Sequence, residues 1–126
     1  MSDHRIAILP GDGTGREIAV EAQRILDTIS NHTNHGFEMT EIPCGGQHYK
    51  EHGEEWPEGS YEFCRDEADA IFLGAIGYPG AVLPNGDLAG GSVILGMRSG
   101  LDLFANLRPI KLYEGINHKV PTIIGT

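Results

Sequence analysis

Two arginines ten positions apart, Arg98 and Arg108, are the side chains whose type and spacing point most directly to chemistry. A guanidinium is a planar fork that grips a carboxylate through two parallel N–H bonds, so a pair can hold a diacid in a way a lysine pair cannot match. Ile94 and Leu95 precede Arg98 by four and three residues, which on a helix puts both on its face. Apolar side chains beside a guanidinium suit an organic acid with a hydrophobic tail. From spacing alone the plainer reading is two surface arginines whose stems cover apolar neighbours.

A second constellation is Pro10-Gly11-Asp12-Gly13-Thr14-Gly15, set between an apolar run and a segment of helical periodicity. In a doubly wound α/β fold such a junction presents backbone N–H groups and a helix dipole to an anionic ligand. It is not the dinucleotide fingerprint, because Arg16 stands where the third glycine belongs, and no Lys-Ser/Thr pair makes it a phosphate-cradling loop. Spacing favours a tight structural turn over a ligand-facing loop. The six histidines make no metal-ligand spacing with cysteine. Cys44 and Cys64 are too few for a disulfide framework and read as ordinary thiols in a reducing compartment. Glu51, Glu54, Glu55 and Glu58 read as a solvated face and Trp56 as a packing anchor. No serine sits in a nucleophile elbow or triad context. No catalytic residue and no metal ligand is therefore assigned in this chain.

The elements that must position these groups follow from periodicity. Arg5–Leu9 is a short apolar run stopped by Pro10-Gly11 and reads as a buried parallel strand. Thr14-Gly15-Arg16-Glu17 has the form of a capping box. The helix it opens places Ile18, Ala22, Ile25, Leu26 and Ile29 on one stripe, and the polar stretch Asn31 to Gly36 ends it. Phe37–Ile42 is a second strand with poor alternation. Pro57 opens a second helix carrying Tyr61, Cys64 and Ala68, and Asp69–Leu73 is a third strand ended by Gly74. A long Gly- and Pro-containing loop over residues 74 to 92 leads to a short helix from Ser92 to Leu101. Leu103–Leu112, interrupted by Pro109, is expected to be extended, as an edge strand or a crossing between lobes, and Val120–Ile124 is strand-like. Strand, helix, strand, helix, strand within 73 residues predicts an α/β fold: an open, doubly wound, mostly parallel sheet with flanking helices.

Composition bounds the function. The 126 residues carry 9 basic and 18 acidic side chains, a net charge of −9, which argues against a nucleic acid or an anionic membrane as partner. No apolar run approaches the roughly 18 residues of a membrane span, and the start lacks the apolar core of a signal peptide, so a soluble cytoplasmic chain is expected. Glycine, at 18 residues, is about twice its usual share and clusters at 11–15, 45–46 and 74–100, where backbone must come close to something.

Three blocks in fixed order resemble the β-decarboxylating dehydrogenases, the family of isopropylmalate, isocitrate, homoisocitrate and tartrate dehydrogenases. Ile8–Glu17 is similar to its N-terminal signature, Asp69–Pro79 to its third strand and cofactor loop, and Leu95–Pro109 to its substrate-arginine segment. The resemblance implies oxidation of a 2-hydroxy dicarboxylate by hydride transfer to NAD or NADP, with loss of the 3-carboxylate as carbon dioxide and a divalent Mg or Mn ion as Lewis acid. It assigns Arg98 and Arg108 to the substrate carboxylate and Ile94 and Leu95 to the substrate's variable tail. Gly74, Ala75, Ile76 and Gly77 fall at the nicotinamide end of the cofactor. An apolar Ile94, where the isocitrate branch has a polar residue, favours an isopropyl group over a third carboxylate. The Gly77-Tyr78-Pro79 and Asp87–Gly91 stretches look somewhat like the tartrate branch.

The family's third arginine, catalytic tyrosine and lysine, and metal-binding aspartates have no counterpart in these 126 residues, which resemble about the first third of a dehydrogenase. The resemblance therefore implies residues 1–102 as the N-terminal half of a cofactor-side α/β domain and residues 103–126 as the start of a second domain. The chain alone is expected to be inactive. The expected partners are a small dicarboxylate and either a second copy, as a homodimer, or a complementing C-terminal segment. The alternatives are a tartrate- or isocitrate-type dehydrogenase of the same family, or a non-catalytic domain that binds a small anion or a partner.

Overall fold

The structure, a computed structural model, describes residues 2–111 and 113–115. Strand β1 (Ser2–Leu9) leads through the glycine-rich turn to helix α1 (Thr14–His32), followed by β2 (His35–Glu41). Two short helices, α2 (Gly46–His52) and α3 (Ser60–Asp66), precede β3 (Ala70–Leu73), and α4 (Gly91–Gly100) closes the regular structure. The three strands form one parallel sheet in the order β2-β1-β3, with Ile6 opposite both Met39 and Ala70.

The central strand explains the two-sided core. Successive side chains of a strand point to opposite faces. Ile6 and Ile8 pack with Ala19 of α1, with Phe37, Met39 and Phe72 around them. Ala7 and Leu9 pack on the other face with Ile42, Cys44, Cys64, Val93 and Met97, and Trp56 lies against that cluster as an anchor. Continuous apolar residues over Ile6–Leu9 are what helices on both sides of a parallel sheet require, so the doubly wound α/β expectation holds.

Four local expectations need correction. The Thr14/Glu17 capping box does not form. Gly13, at φ 50°, is the N-cap, and no side chain caps the helix. The turn does this itself, with Gly15 N–H donating to the Asp12 carbonyl at 2.9 Å and Arg16 N–H to the Gly13 carbonyl at 3.2 Å. The predicted apolar stripe of α1 is buried only in part: Leu26 packs on the core, but Ile18, Ile25 and Ile29 are 53%, 61% and 40% exposed. The helix meets the sheet through Gly15, Ala19 and Leu26, because the small side chains of Gly15 and Ala19 let its axis come close, and this rotates the isoleucines outward. Helix α2 occupies a stretch for which no helix is predicted. Finally, of the two expectations for Leu103–Leu112, the edge strand does not form over the described residues 103–111, where Phe104, Leu107 and Ile110 stand exposed. The expected strand at Val120–Ile124 lies outside the described residues. No described helix is long and apolar enough to cross a membrane.

Candidate functional site

The glycine-rich turn after β1 is organised around one buried carboxylate. Asp12 is 2% exposed, and its two oxygens accept three backbone N–H bonds, from Gly46 at 2.9 Å, Gln47 at 2.8 Å and Gly77 at 2.9 Å. Its own N–H donates to the Ala75 carbonyl at 2.7 Å. An ionised carboxylate only accepts, so a ring of amide donors satisfies it without a cation. The glycines make this approach possible: a Cβ on Gly45 would stand 2.6 Å from Asp12 Oδ2, and one on Gly74 would run into the Pro10 carbonyl. The turn is filled by the protein's own 74–77 segment, as expected of a tight structural turn.

Gly74, Ala75, Ile76 and Gly77 therefore come together as one short connection lying against Pro10–Gly15. Gly74 N–H donates to the Leu9 carbonyl at 2.8 Å, extending the β1–β3 ladder by one step. Ile76 packs on the core below α4, where a Cβ on Gly90 would strike it. Ala75 and Gly77 are exposed, and Gly77, at φ 152°, has open space where a side chain would stand.

Helix α4 starts on a second carboxylate. Glu55, read from sequence as one of four solvated acids, accepts from Gly90 N–H, from Ser92 N–H at 3.3 Å and from the Ser92 hydroxyl. Its backbone carbonyl takes the Gly45 N–H at 2.8 Å, which links this clamp to the one at Asp12. Nothing local distinguishes Glu55 from Glu51, Glu54 or Glu58 in the sequence. Asp12 did carry a signal, a short polar residue between glycines at the end of a strand.

Of the expected substrate residues, Ile94 and Arg98 are brought together. They border one hollow of about 150 Å³ with Ile71, Leu73, Met97 and Leu103. Leu95, although adjacent in sequence, lines a different hollow with Leu83, Leu88 and Ser92. Arg108 is exposed beyond Leu103, does not line the Ile94/Arg98 hollow, and donates from Nε to Asn106 Oδ1 at 3.3 Å. Arg98 is exposed as well, so both guanidinium groups stay open to an incoming anion.

Both cysteines are buried free thiols. Burial pushes the Cys44 thiol from 9.0 up to about 11, against a smaller lowering by its hydrogen bond with the Gly11 backbone. Burial alone raises Cys64. Neither is a nucleophile at neutral pH, as expected of structural thiols.

Comparisons with known proteins agree with this architecture. The profile of the family described as isocitrate/isopropylmalate dehydrogenase matches residues 5–123. The 3-isopropylmalate dehydrogenase of Bacillus subtilis is 40% identical over 117 residues, 93% of this chain and 32% of that protein. Its counterpart from Methylococcus capsulatus is 42% identical over 109 residues, 86% of this chain and 30% of that one. The apo crystal structure of a β-decarboxylating dehydrogenase from Thermococcus kodakarensis superposes with a TM-score of 0.60 at 30% identity, covering 79% of this chain and 27% of that one. The chain thus spans about a third of the length of the curated relatives it matches. A family profile over nearly all its residues, and a parallel sheet shared with a solved member, place this chain in the isocitrate/isopropylmalate dehydrogenase family.

Proposed function

We propose that these residues form the N-terminal part of an oxidative decarboxylase of a 2-hydroxy dicarboxylate, and that the substrate is of the 3-isopropylmalate type, as in leucine biosynthesis. The observation that carries the reading is the Ile94/Arg98 hollow, in which an apolar side chain and a guanidinium share one wall. Arg98 would hold a carboxylate by a bidentate pair of N–H bonds, and Ile94 would cover an isopropyl group. A third carboxylate at Ile94 would lose its hydration without gaining a donor, which disfavours isocitrate. Arg108, on the segment after α4, would take the second carboxylate.

The turn 74–77 would take the nicotinamide ring, since exposed Ala75 and Gly77 present little side chain there. NAD or NADP bound there supplies the hydride acceptor. This chain's contribution is to hold the substrate carboxylate at Arg98 while the turn keeps the adjoining surface free of side chains. No group of three or more His, Cys, Asp or Glu is placed to hold a metal ion among the described residues. No step is assigned here to the Mg or Mn ion of the family. The 126 residues alone are proposed to be inactive, in the cytoplasm, with residues 103–126 opening a second domain and a homodimer or a complementing C-terminal segment completing the enzyme.

A chimaera tests this. The corresponding first third of the Bacillus subtilis enzyme is replaced by this chain, and oxidation of 3-isopropylmalate, isocitrate and tartrate is compared with NAD and magnesium. The expected order puts 3-isopropylmalate first by kcat/KM. Preference for tartrate or isocitrate would overturn the substrate assignment. Turnover of 3-isopropylmalate by the unaided chain would overturn its proposed inactivity.

A further inference from the structure

We propose that Asp12 and Glu55 are positioning residues, Asp12 setting the turn 74–77 and Glu55 setting helix α4, so that the two stand as one preformed binding edge. This rests on the reading of the turn as the cofactor surface and of α4 as the substrate-reading helix. Each carboxylate belongs to an element outside the segment it holds. Asp12, after β1, takes the Gly77 N–H, while Glu55, between α2 and α3, takes the N–H groups of Gly90 and Ser92.

The stretch between the two anchors carries its own bonds. Leu83 N–H donates to Asp87 O at 2.8 Å, Gly86 N–H to Leu83 O at 2.9 Å and Ala89 N–H to Ala81 O at 3.0 Å. Val82 and Leu88 form an antiparallel bridge. The anchors are also tied to each other, because Gly46 and Gln47 donate to Asp12 and the preceding Gly45 donates to the Glu55 carbonyl. A continuous hydrogen-bonded frame thus runs from Gly77 to Ser92 beneath the hairpin, and each node needs an acceptor oxygen. Oδ2 of Asp12 takes the Gly46 and Gly77 N–H groups and Oδ1 takes that of Gln47, so removing both oxygens releases all three.

The test separates the two nodes on the 126-residue chain labelled with ¹⁵N. Without ligand, Asp12→Ala is expected to speed amide hydrogen exchange at Gly46, Gln47 and Gly77 by about tenfold or more and to leave Gly90 and Ser92 unchanged. Glu55→Ala is expected to do the reverse. Glu55→Gln, which keeps an acceptor oxygen, restores most of the protection. With NAD, Asp12→Ala raises the dissociation constant read at residues 74–77, and with 3-isopropylmalate Glu55→Ala raises the one read at residues 94–98. Each variant leaves the other ligand's value within about twofold.

Unchanged exchange at the named amides overturns the proposal, and so does equal weakening of both ligands by either variant. If exchange responds as expected but neither ligand moves the wild-type amides, the positioning roles stand and the dehydrogenase reading of the two surfaces fails. Should Asp12→Ala not fold, the Glu55 pair decides by itself, through local exchange at Gly90 and Ser92 and rescue by Gln.

Discussion

Gly15→Ala sets local propensity against tertiary packing and predicts that packing wins. Gly15 lies inside α1 with an ordinary helical φ, where alanine would normally gain about 1 kcal/mol over glycine. Its missing side chain, however, points at backbone. A Cβ there would strike the Pro10 carbonyl and stand 2.6 Å from Ala75 N and 2.8 Å from Ala75 O. Backbone pinned by the Asp12 bonds cannot turn aside as a flexible side chain would, so the helix must lift from the turn. Overpacking of this kind costs about 1–3 kcal/mol or more. Lifting also lengthens the Gly15 N–H bond to the Asp12 carbonyl, now 2.9 Å, at about 1 kcal/mol. The net expectation is a loss of about 1–3 kcal/mol after the propensity gain. That is a substantial part of the 5–15 kcal/mol by which domains are stable. The assay is urea unfolding followed by far-UV circular dichroism, with the midpoint expected to fall at constant slope. The matched control is Gly96→Ala in α4, where nothing lies within 4 Å of the added methyl and a gain of about 0.5–1 kcal/mol is expected. A Gly15→Ala midpoint equal to or above wild type would refute the close approach on which the turn's architecture rests.

Three further outcomes are expected. The Cys44 thiol is protonated in folded and unfolded chains below pH 9; between pH 9 and about 11 only the unfolded chain releases this proton, so stability should fall with rising pH. The loss amounts to at most about 2–3 kcal/mol, and it should be absent from Cys44→Ala when alkaline urea midpoints are compared. Ile25→Glu, on the exposed stripe of α1, should change the urea midpoint by less than about 0.5 kcal/mol in this chain. A loss of about 2–5 kcal/mol would instead mean that the stripe is packed. In calorimetric titration of the chimaera with 3-isopropylmalate, Arg98→Lys and Arg108→Lys should each weaken binding about tenfold, because a point charge loses the bidentate geometry. Unchanged affinity in both would remove them from the substrate site.

Several features were legible because they depend on neighbours close in the chain. Ile6–Leu9 is apolar at every position, which is the mark of a strand covered on both faces, and it is the buried end of β1. The strand at Ala70–Leu73, the helix before it and the short helix carrying Ile94 and Arg98 follow from periodicity and from the glycines and prolines that bound them. Three family blocks in the right order identified the class, since close backbone approach demands glycine at particular positions whatever surrounds them. The face of α1 was misread because periodicity finds both an isoleucine stripe and a small-residue stripe, and hydrophobicity prefers the bulkier one. Only the distance between helix and sheet makes the smaller stripe the buried one.

The site divides along the same line. Residue types singled out Arg98, Arg108, Ile94 and Leu95, since chemistry resides in side-chain type, and the family resemblance added the segment Gly74–Gly77 and gave the four their roles. Tertiary structure decided that Ile94 and Arg98 share a hollow while Leu95 faces another, a matter of about 100° of rotation between successive helical positions. It alone revealed the roles of Asp12 and Glu55, which hold amides 65 and 35 residues further along the chain. A carboxylate's partners at such separations leave no trace in local pattern, because folding, not spacing, brings donor and acceptor within 3 Å.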